Sequence, residues 1–428
     1  MKAGDPLNGV VGQASRLPSE LQASRLHERS SRDGRSTSGR RDACPTSLRR
    51  MRIDWRAAGA FGPILLLMLL LLPRPAAGAA QDISSLLEPI RQKHQVPALA
   101  AAAVQKATLL GSGAVGVRKL SAKEPVTVDD QWHIGSCTKS MTATLAAMLV
   151  ERGQIRWNST VGEVLPDLRE TMDSAWNAVT LEQLLTHRGG APAEPPENLW
   201  RIASAQQGTP VEQRLGFVRG LVLRRPETAP GTKFVYSNQG YAIAGVMLER
   251  TAGEPWEALL RTNVFAACVM PSAGYGAPAS PGKVDQPWGH RREGDKLIPV
   301  PPGRDADNPP AIGPAGTVHC TIEELARYAA WHARGENIGT ASLKRESFLK
   351  LHTPPAGGDY AMGWAVAPRD WAGGNALTHA GSNTMFYAVI WIAPARDAAF
   401  VAATNCPGEE AAKACDEAVA ALIGTFLK

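Results

Sequence analysis

Apolar segments that read as strands lie toward both ends of this chain, with a period of two near the last of them, and apolar residues recur with a helical period in between. No other feature narrows the fold as much. Residues 97–104 and 114–117 read as two strands near the front. Near the end, residues 385–393 and 398–402 read as apolar strands joined by a turn over 394–397 that contains Pro394 and Asp397. Helical spacing marks residues 83–94, the stripe Ile243, Val246 and Met247, and the stripe Ile322, Leu325, Tyr328 and Trp331. Thr180 and Gln183 have the spacing of a capping box that opens a short helix over 181–186. A helix over 409–427 closes the chain. The order predicts an α/β (α+β) fold. Its antiparallel sheet is built from both chain ends and flanked by helices, with a mostly helical insertion over roughly residues 150–290.

The first 79 residues are of a different character. They carry 13 Lys/Arg against 6 Asp/Glu, and the remaining chain carries 33 against 34. The net charge of +6 is therefore terminal, and the body gives no electrostatic case for nucleic acid. Residues 1–50 are rich in Arg, Ser and Gly and repeat Gln-Ala-Ser-Arg-Leu at Gln13 and Gln22. So polar a segment cannot offset its ordering entropy, and it reads as a disordered or spurious basic extension. Residues 51–79 have the three parts of a signal peptide: Arg52 and Arg56, an apolar run over 57–72, and the small-residue site Ala77-Gly78-Ala79. The localisation expected is secreted or periplasmic, with membrane contact only through this segment if it stays uncleaved. Five cysteines follow, an odd number that excludes full pairing, and Cys415 falls on an apolar helix stripe. No Cys/His group has zinc spacing, so neither metal nor cofactor is expected.

Ser136 and Lys139 are three residues apart, at the head of a run in which Met141, Leu145, Met148 and Leu149 repeat at helical spacing. On a helix such a pair shares a face, so the amine can take the hydroxyl proton. Gly135 gives a tight entry and Gly153 a stop. A second Ser-x-x-Lys, at Ser347 and Lys350, reads as an ordinary surface helix. Two later motifs complete a set. Tyr236-Ser237-Asn238 offers a phenol that relays protons if cations lower its pKa, and an amide for the lysine and a substrate carbonyl. His379-Ala380-Gly381, just before the strand at Met385, offers a donor or partial positive charge toward a substrate. Gly381 there lets a substrate lie along the strand edge. His187 reads as a helix terminus, His133 as a packed strand residue, and His290 as loop structure.

Taken in that order, the three motifs make the sequence resemble the superfamily of serine β-lactamases, D-Ala-D-Ala carboxypeptidases and esterases, with its class C branch the nearest in appearance. The resemblance runs over about residues 85–425 and includes Val96-Pro97, Leu184-Leu-Thr-His187, Pro230-Gly-Thr232, Gly313-Pro-Ala-Gly316 and Tyr360-Ala-Met-Gly-Trp364. It implies a catalytic domain over 83–428. It implies Ser136 as the acylated nucleophile, Lys139 as its base and Tyr236 as acid/base. Asn238, His379, Gly381 and Ser382 would then bind substrate, with the backbone N–H groups of Ser136 and Ser382 as oxyanion hole. The chain departs from the family pattern at Ala380, where a hydroxyl is usual, and at His379, where lysine is common. Both changes weaken capture of a carboxylate, although Ser382 could replace the hydroxyl.

The function expected is an exported serine hydrolase acting through an acyl-enzyme on a small-molecule ester, amide or peptidoglycan-like substrate. The nearer alternative is a β-lactamase or D-Ala-D-Ala carboxypeptidase. The alternative of another class is a catalytically silent ligand-binding domain, which has no physical need for Ser136, Lys139, Tyr236 and Asn238 together.

Overall fold

A computed structural model of the protein describes residues 80–427. The readings made for residues 1–50 and 51–79 lie outside the described residues. The strands are β1 (Gln81–Asp82), β2 (Ala98–Gln105), β3 (Thr108–Gly116), β4 (Gln131–His133), β5 (Gly274–Tyr275), β6 (His290–Glu293), β7 (Lys296–Pro299), β8 (Val318–Thr321), β9 (Ala365–Arg369), β10 (Gly374–Ser382), β11 (Tyr387–Ala393) and β12 (Ala398–Thr404). Seven of them form one sheet in the order β1-β3-β2-β12-β11-β10-β9. Its centre joins the two ends of the chain, with Ala101 of β2 opposite Ala402 of β12. The pairings are antiparallel except for the two-residue contact of β1 with β3.

Helices cover both faces of this sheet, which explains the alanines of β2. Ala98, Ala100, Ala102 and Val104 enter one core with Leu325 and Ala329 of α7 (Ile322–Ile338). Leu99, Ala101 and Ala103 enter a second core with Leu87 and Ile90 of α1 (Ser84–Lys93) and Ala418 and Leu422 of α9 (Glu409–Phe426). A strand buried on both faces shows no polar alternation. Small side chains here let helices approach closely. The same closeness explains why the first half of β3 escapes a reading by apolar pattern. Cβ atoms at Gly111 and Gly113 would meet Ile83 at 2.9 Å, so glycine occupies strand positions where apolar residues would advertise the strand.

The chain between the sheet halves carries α2 (Thr138–Glu151), α3 (Leu181–Leu185), α4 (Glu197–Ala205), α5 (Pro210–Val222) and α6 (Asn238–Ala252). It also carries the small sheet β4-β8-β5. The capping box at α3 forms as expected, with Gln183 N–H donating to Thr180 Oγ1 at 3.2 Å. Ser347 and Lys350 lie on α8 (Arg345–His352) and point to different partners, Glu151 and Glu182. The five described cysteines are free thiols and all are buried.

Two histidine-bearing segments differ from expectation. His290 is a buried residue of β6, not loop structure. Its Nδ1 donates to Asn405 O at 2.7 Å and its Nε2 accepts from Leu120 N–H at 3.1 Å. Burial pushes its pKa down to about 4. The His379 motif lies ahead of β11 as expected, but it is itself inside a strand, β10, where no strand is expected. Gly374 and Asn375 begin that strand, and turn-forming residues at a strand start hide it from pattern reading.

Candidate active site

Strand β4 delivers the chain into Gly135, whose φ of +48° suits glycine. Ser136 then sits in a 3₁₀ turn, Gly135–Cys137, that leads into α2. The expectation of an α-helical serine is corrected here, yet the pairing survives. In a 3₁₀ turn the residues i and i+3 eclipse one another, which aligns Ser136 with Lys139 more directly than an α-helix does. Helix α2 is buried from Thr138 to Leu149, while Ser136 is only half-buried and remains open to solvent.

Lys139 is fully buried, with no acidic partner among the described residues. Its Nζ lies 2.9 Å from Ser136 Oγ, 2.7 Å from Asn238 Oδ1 and 2.9 Å from Ala315 O. Desolvation holds its pKa well below 10.5, so the neutral amine is the favoured form. A neutral amine has two N–H donors and one lone pair. Asn238 Oδ1 and Ala315 O can only accept, so they take both donors. The lone pair is left for the Ser136 hydroxyl proton. The environment thus turns the lysine into a base aimed at one oxygen.

Tyr236 closes the other side. Its ring centroid is 4.8 Å from Lys139 Nζ, and the Ser136 hydroxyl near its phenol favours the ionised form without overcoming burial. The expectation that a cation lowers its pKa is overturned. Burial is the dominant cause and pushes the phenol above 10. Tyr236 is therefore a protonated donor at neutral pH. Ser237 is the N-cap of α6 and accepts from Gly240 N–H at 3.1 Å, which sets Asn238 at the first helical position.

The third motif meets the nucleophile turn backbone to backbone. A Cβ at Gly381 would stand 2.1 Å from Ile134 O and 2.6 Å from Ser136 N. A Cβ at Gly135 would stand 2.3 Å from Ser382 N. Two glycines thus let the amides of Ser136 and Ser382 become neighbours. His379 is buried beside them. Its Nδ1 donates to Ala380 O at 2.6 Å, so Nε2 accepts from the Tyr360 hydroxyl at 3.0 Å. Desolvation, with Lys139 nearby, pushes its pKa down to about 3. It is neutral and offers no free N–H, which corrects the expectation of a donor or partial charge toward substrate. Ser382 Oγ is also occupied, donating to Phe386 O at 2.7 Å and accepting from Thr384 N–H at 3.0 Å. The lost hydroxyl of Ala380 is not replaced there.

His187 is at a helix end as read, but its role is larger. Its Nδ1 accepts from Ser237 N–H at 3.0 Å and its ring lies 4.4 Å from that of Tyr236. It supports the tyrosine segment across 50 residues of sequence. Only Leu184-Leu-Thr-His187, without chemistry of its own, marks it in the sequence. Among the described residues no group of three or more His, Cys, Asp or Glu is placed to hold a metal ion.

These directions fix a pH profile for hydrolysis of a neutral ester. A base with a depressed pKa works above that pKa, so kcat/KM should rise with pH through a limb lying well below 10.5. The plateau should persist beyond pH 10, because Tyr236 holds its proton above its ordinary value. No limb should belong to His379, which stays neutral down to about 3. An alkaline limb centred below pH 10 in a steady-state profile would contradict this assignment.

The family model named Beta-lactamase matches residues 83–424. A beta-lactamase of Escherichia coli (strain K12) is 25% identical over 299 residues, covering 68% of this chain and 72% of that protein. Penicillin-binding protein 4 of Amycolatopsis lactamdurans is 26% identical over 329 residues, covering 74% and 82% respectively. Among solved structures, the octameric penicillin-binding protein homologue from Pyrococcus abyssi shares the fold with a TM-score of 0.66 at 21% identity, over 79% of this chain and 76% of that one. A family match that begins three residues into the described chain and stops just short of its end leaves little outside it, and the protein belongs to the beta-lactamase family of serine hydrolases.

Proposed function

We propose that the protein hydrolyses a small ester, or a small peptide-like amide, that presents no carboxylate anchor. The observation that carries this reading is the neutral, fully engaged His379. Substrates with a carboxylate gain from a cation or hydroxyl at the third motif, and a charge-assisted hydrogen bond is worth about 1.5–3 kcal/mol. Here burial removes the charge, Ala380 lacks the hydroxyl, and Ser382 Oγ is committed to its own loop.

In the proposed cycle Ser136 Oγ attacks the substrate carbonyl carbon as its proton passes to Lys139 Nζ. The carbonyl oxygen becomes an oxyanion held by the N–H groups of Ser136 and Ser382. The tetrahedral intermediate collapses, and the leaving group departs with a proton from Tyr236, which recovers one from Lys139. Water then attacks the acyl-serine, giving up its proton through the same pair, and the acid is released. Asn238 holds Lys139 through Oδ1 and has its amide N–H groups for a substrate carbonyl.

A second reading, β-lactam or D-Ala-D-Ala hydrolysis, is favoured by the names of two relatives, a beta-lactamase and a penicillin-binding protein. Export is proposed on the signal-like pattern of residues 51–79. One experiment tests these together. The chain is recovered from the exported fraction and its first residue sequenced, with a start after Ala79 expected. It is then treated with a fluorophosphonate probe, p-nitrophenyl esters and a fluorescent penicillin, beside Ser136→Ala. Labelling by the probe and turnover of the esters is expected, both absent in the variant, with slow or no penicillin reaction. Penicillin labelling or hydrolysis at a rate matching the esters moves the assignment to the second reading. A folded protein inert to all three is a binding domain.

A further inference from the structure

Asp307 occupies the loop between the 3₁₀ turns Arg304–Ala306 and Pro310–Ile312. Its side chain is 7% exposed. Among the described residues no Lys or Arg forms an ion pair with it. Instead its Oδ1 touches two groups from different parts of the chain. His133 Nε2 is 2.7 Å away, and Asn383 Nδ2 donates to the same oxygen at 3.2 Å. Its Oδ2 is buried with no hydrogen-bond partner.

Each partner continues to a peptide that matters for the proposed chemistry. His133 Nδ1 accepts from Gly135 N–H at 3.1 Å, which fixes the tautomer: Nε2 carries the proton and faces Asp307. Gly135 begins the turn that supplies the Ser136 amide. Asn383 follows Ser382 directly, and its Oδ1 accepts from Met385 N–H at 3.2 Å and Phe386 N–H at 3.0 Å. It therefore folds the end of β10 that supplies the Ser382 amide. The neighbouring Asn308 donates to Gly316 O at 2.8 Å, and Gly316 follows the Ala315 carbonyl that holds Lys139. A buried carboxylate with one unpaired oxygen is a poor source of stability. What it does supply is a common fixed point for two segments that also meet at Gly135 and Gly381, through Cys137 Sγ on His379 O, and through the rings of His133 and Phe386.

We propose that Asp307 is a positioning residue that, through His133 and Asn383, sets the spacing of the Ser136 and Ser382 amides. This rests on the assignment of those two amides as oxyanion donors. Donors act only when placed within tenths of an ångström, and a misplacement of about 1 Å costs about 10²-fold.

The test compares Asp307→Ala and Asp307→Asn in the full chain. The probes are p-nitrophenyl acetate turnover and hydrogen–deuterium exchange over residues 133–138 and 381–386. Asp307→Ala should lower kcat by about 10²-fold, with KM within a few-fold and activity expressed per folded molecule. Asp307→Asn keeps an oxygen that accepts from Asn383 Nδ2 and lies beside His133 Nε2, and should recover most of that loss. Exchange should rise in both segments for the alanine variant alone. Wild-type kcat in Asp307→Ala, a loss explained by unfolding, or no recovery in Asp307→Asn overturns the proposal. If the wild-type protein turns over no ester, the hydrolase reading is the one that fails. The exchange arm then decides: a joint rise in the two segments keeps the link between them, and its absence removes it.

Discussion

Replacing Lys139 with methionine is expected to lower ester turnover by about 10³–10⁴-fold, at the upper end of what a positioned base contributes. Methionine fits the same buried channel without a basic nitrogen. Ser136 then keeps its proton, because Tyr236, with its pKa raised by burial, cannot accept it at neutral pH. Stability should move far less than activity. Two acceptors, Asn238 Oδ1 and Ala315 O, lose their donor, at about 1–3 kcal/mol each. Against this, the chain no longer has to strip a cationic side chain of water on folding. That desolvation cost is present at neutral pH and shrinks only as pH rises toward the ordinary lysine value of 10.5. Stopped-flow labelling by a fluorophosphonate, together with a thermal midpoint, separates the two effects. A folded methionine variant that keeps a tenth of wild-type turnover would remove lysine from the role of base.

Gly381→Ala should be almost as damaging, for a steric reason. The new methyl would stand 2.1 Å from Ile134 O, 2.6 Å from Ser136 N and 2.8 Å from Cys137 N. All three are backbone atoms, so no side chain can turn aside. Either β10 or the nucleophile turn must shift by about an ångström, which costs about 10²-fold or more in turnover. Overpacking of this kind also costs about 1–3 kcal/mol of stability. Gly216 in α5 is the control, because nothing lies within 4 Å of its Cβ position. Alanine there should leave turnover unchanged and gain a few tenths to 1 kcal/mol from helix propensity. The measurement is kcat and thermal midpoint for both variants. Native turnover in Gly381→Ala would mean that strand and turn are not pressed together.

What could be read from the residues alone follows a physical division. Ser136 and Lys139 were legible because their relation is local, and i, i+3 proximity holds in either kind of helical turn. The sheet was legible where strands carry apolar runs, as in β11 and β12. It was not legible in the first half of β3, where glycines needed for close approach replace the apolar signal, nor in β10, which opens on the turn-forming Gly374 and Asn375. Titration behaviour was legible least. A tyrosine near a lysine invites the inference of a lowered phenol pKa, yet both groups are desolvated, and desolvation dominates over their mutual field. His133, Asp307 and Asn383 carried no signal as a group, since what joins them is tertiary contact between residues far apart in the chain.

The adjacency of β2 and β12 has a consequence for how the molecule comes into being. On the ribosome, residues 98–105 are made well before their partner at 398–404. The nucleophile turn waits in the same way for Gly381. A nascent or prematurely terminated chain therefore displays Ser136 and Lys139 without the edge that completes their surroundings. On the proposed assignment, hydrolytic competence arrives only once β10 and β12 have emerged, and a product interrupted before them is silent even though it already holds Ser136 and Lys139.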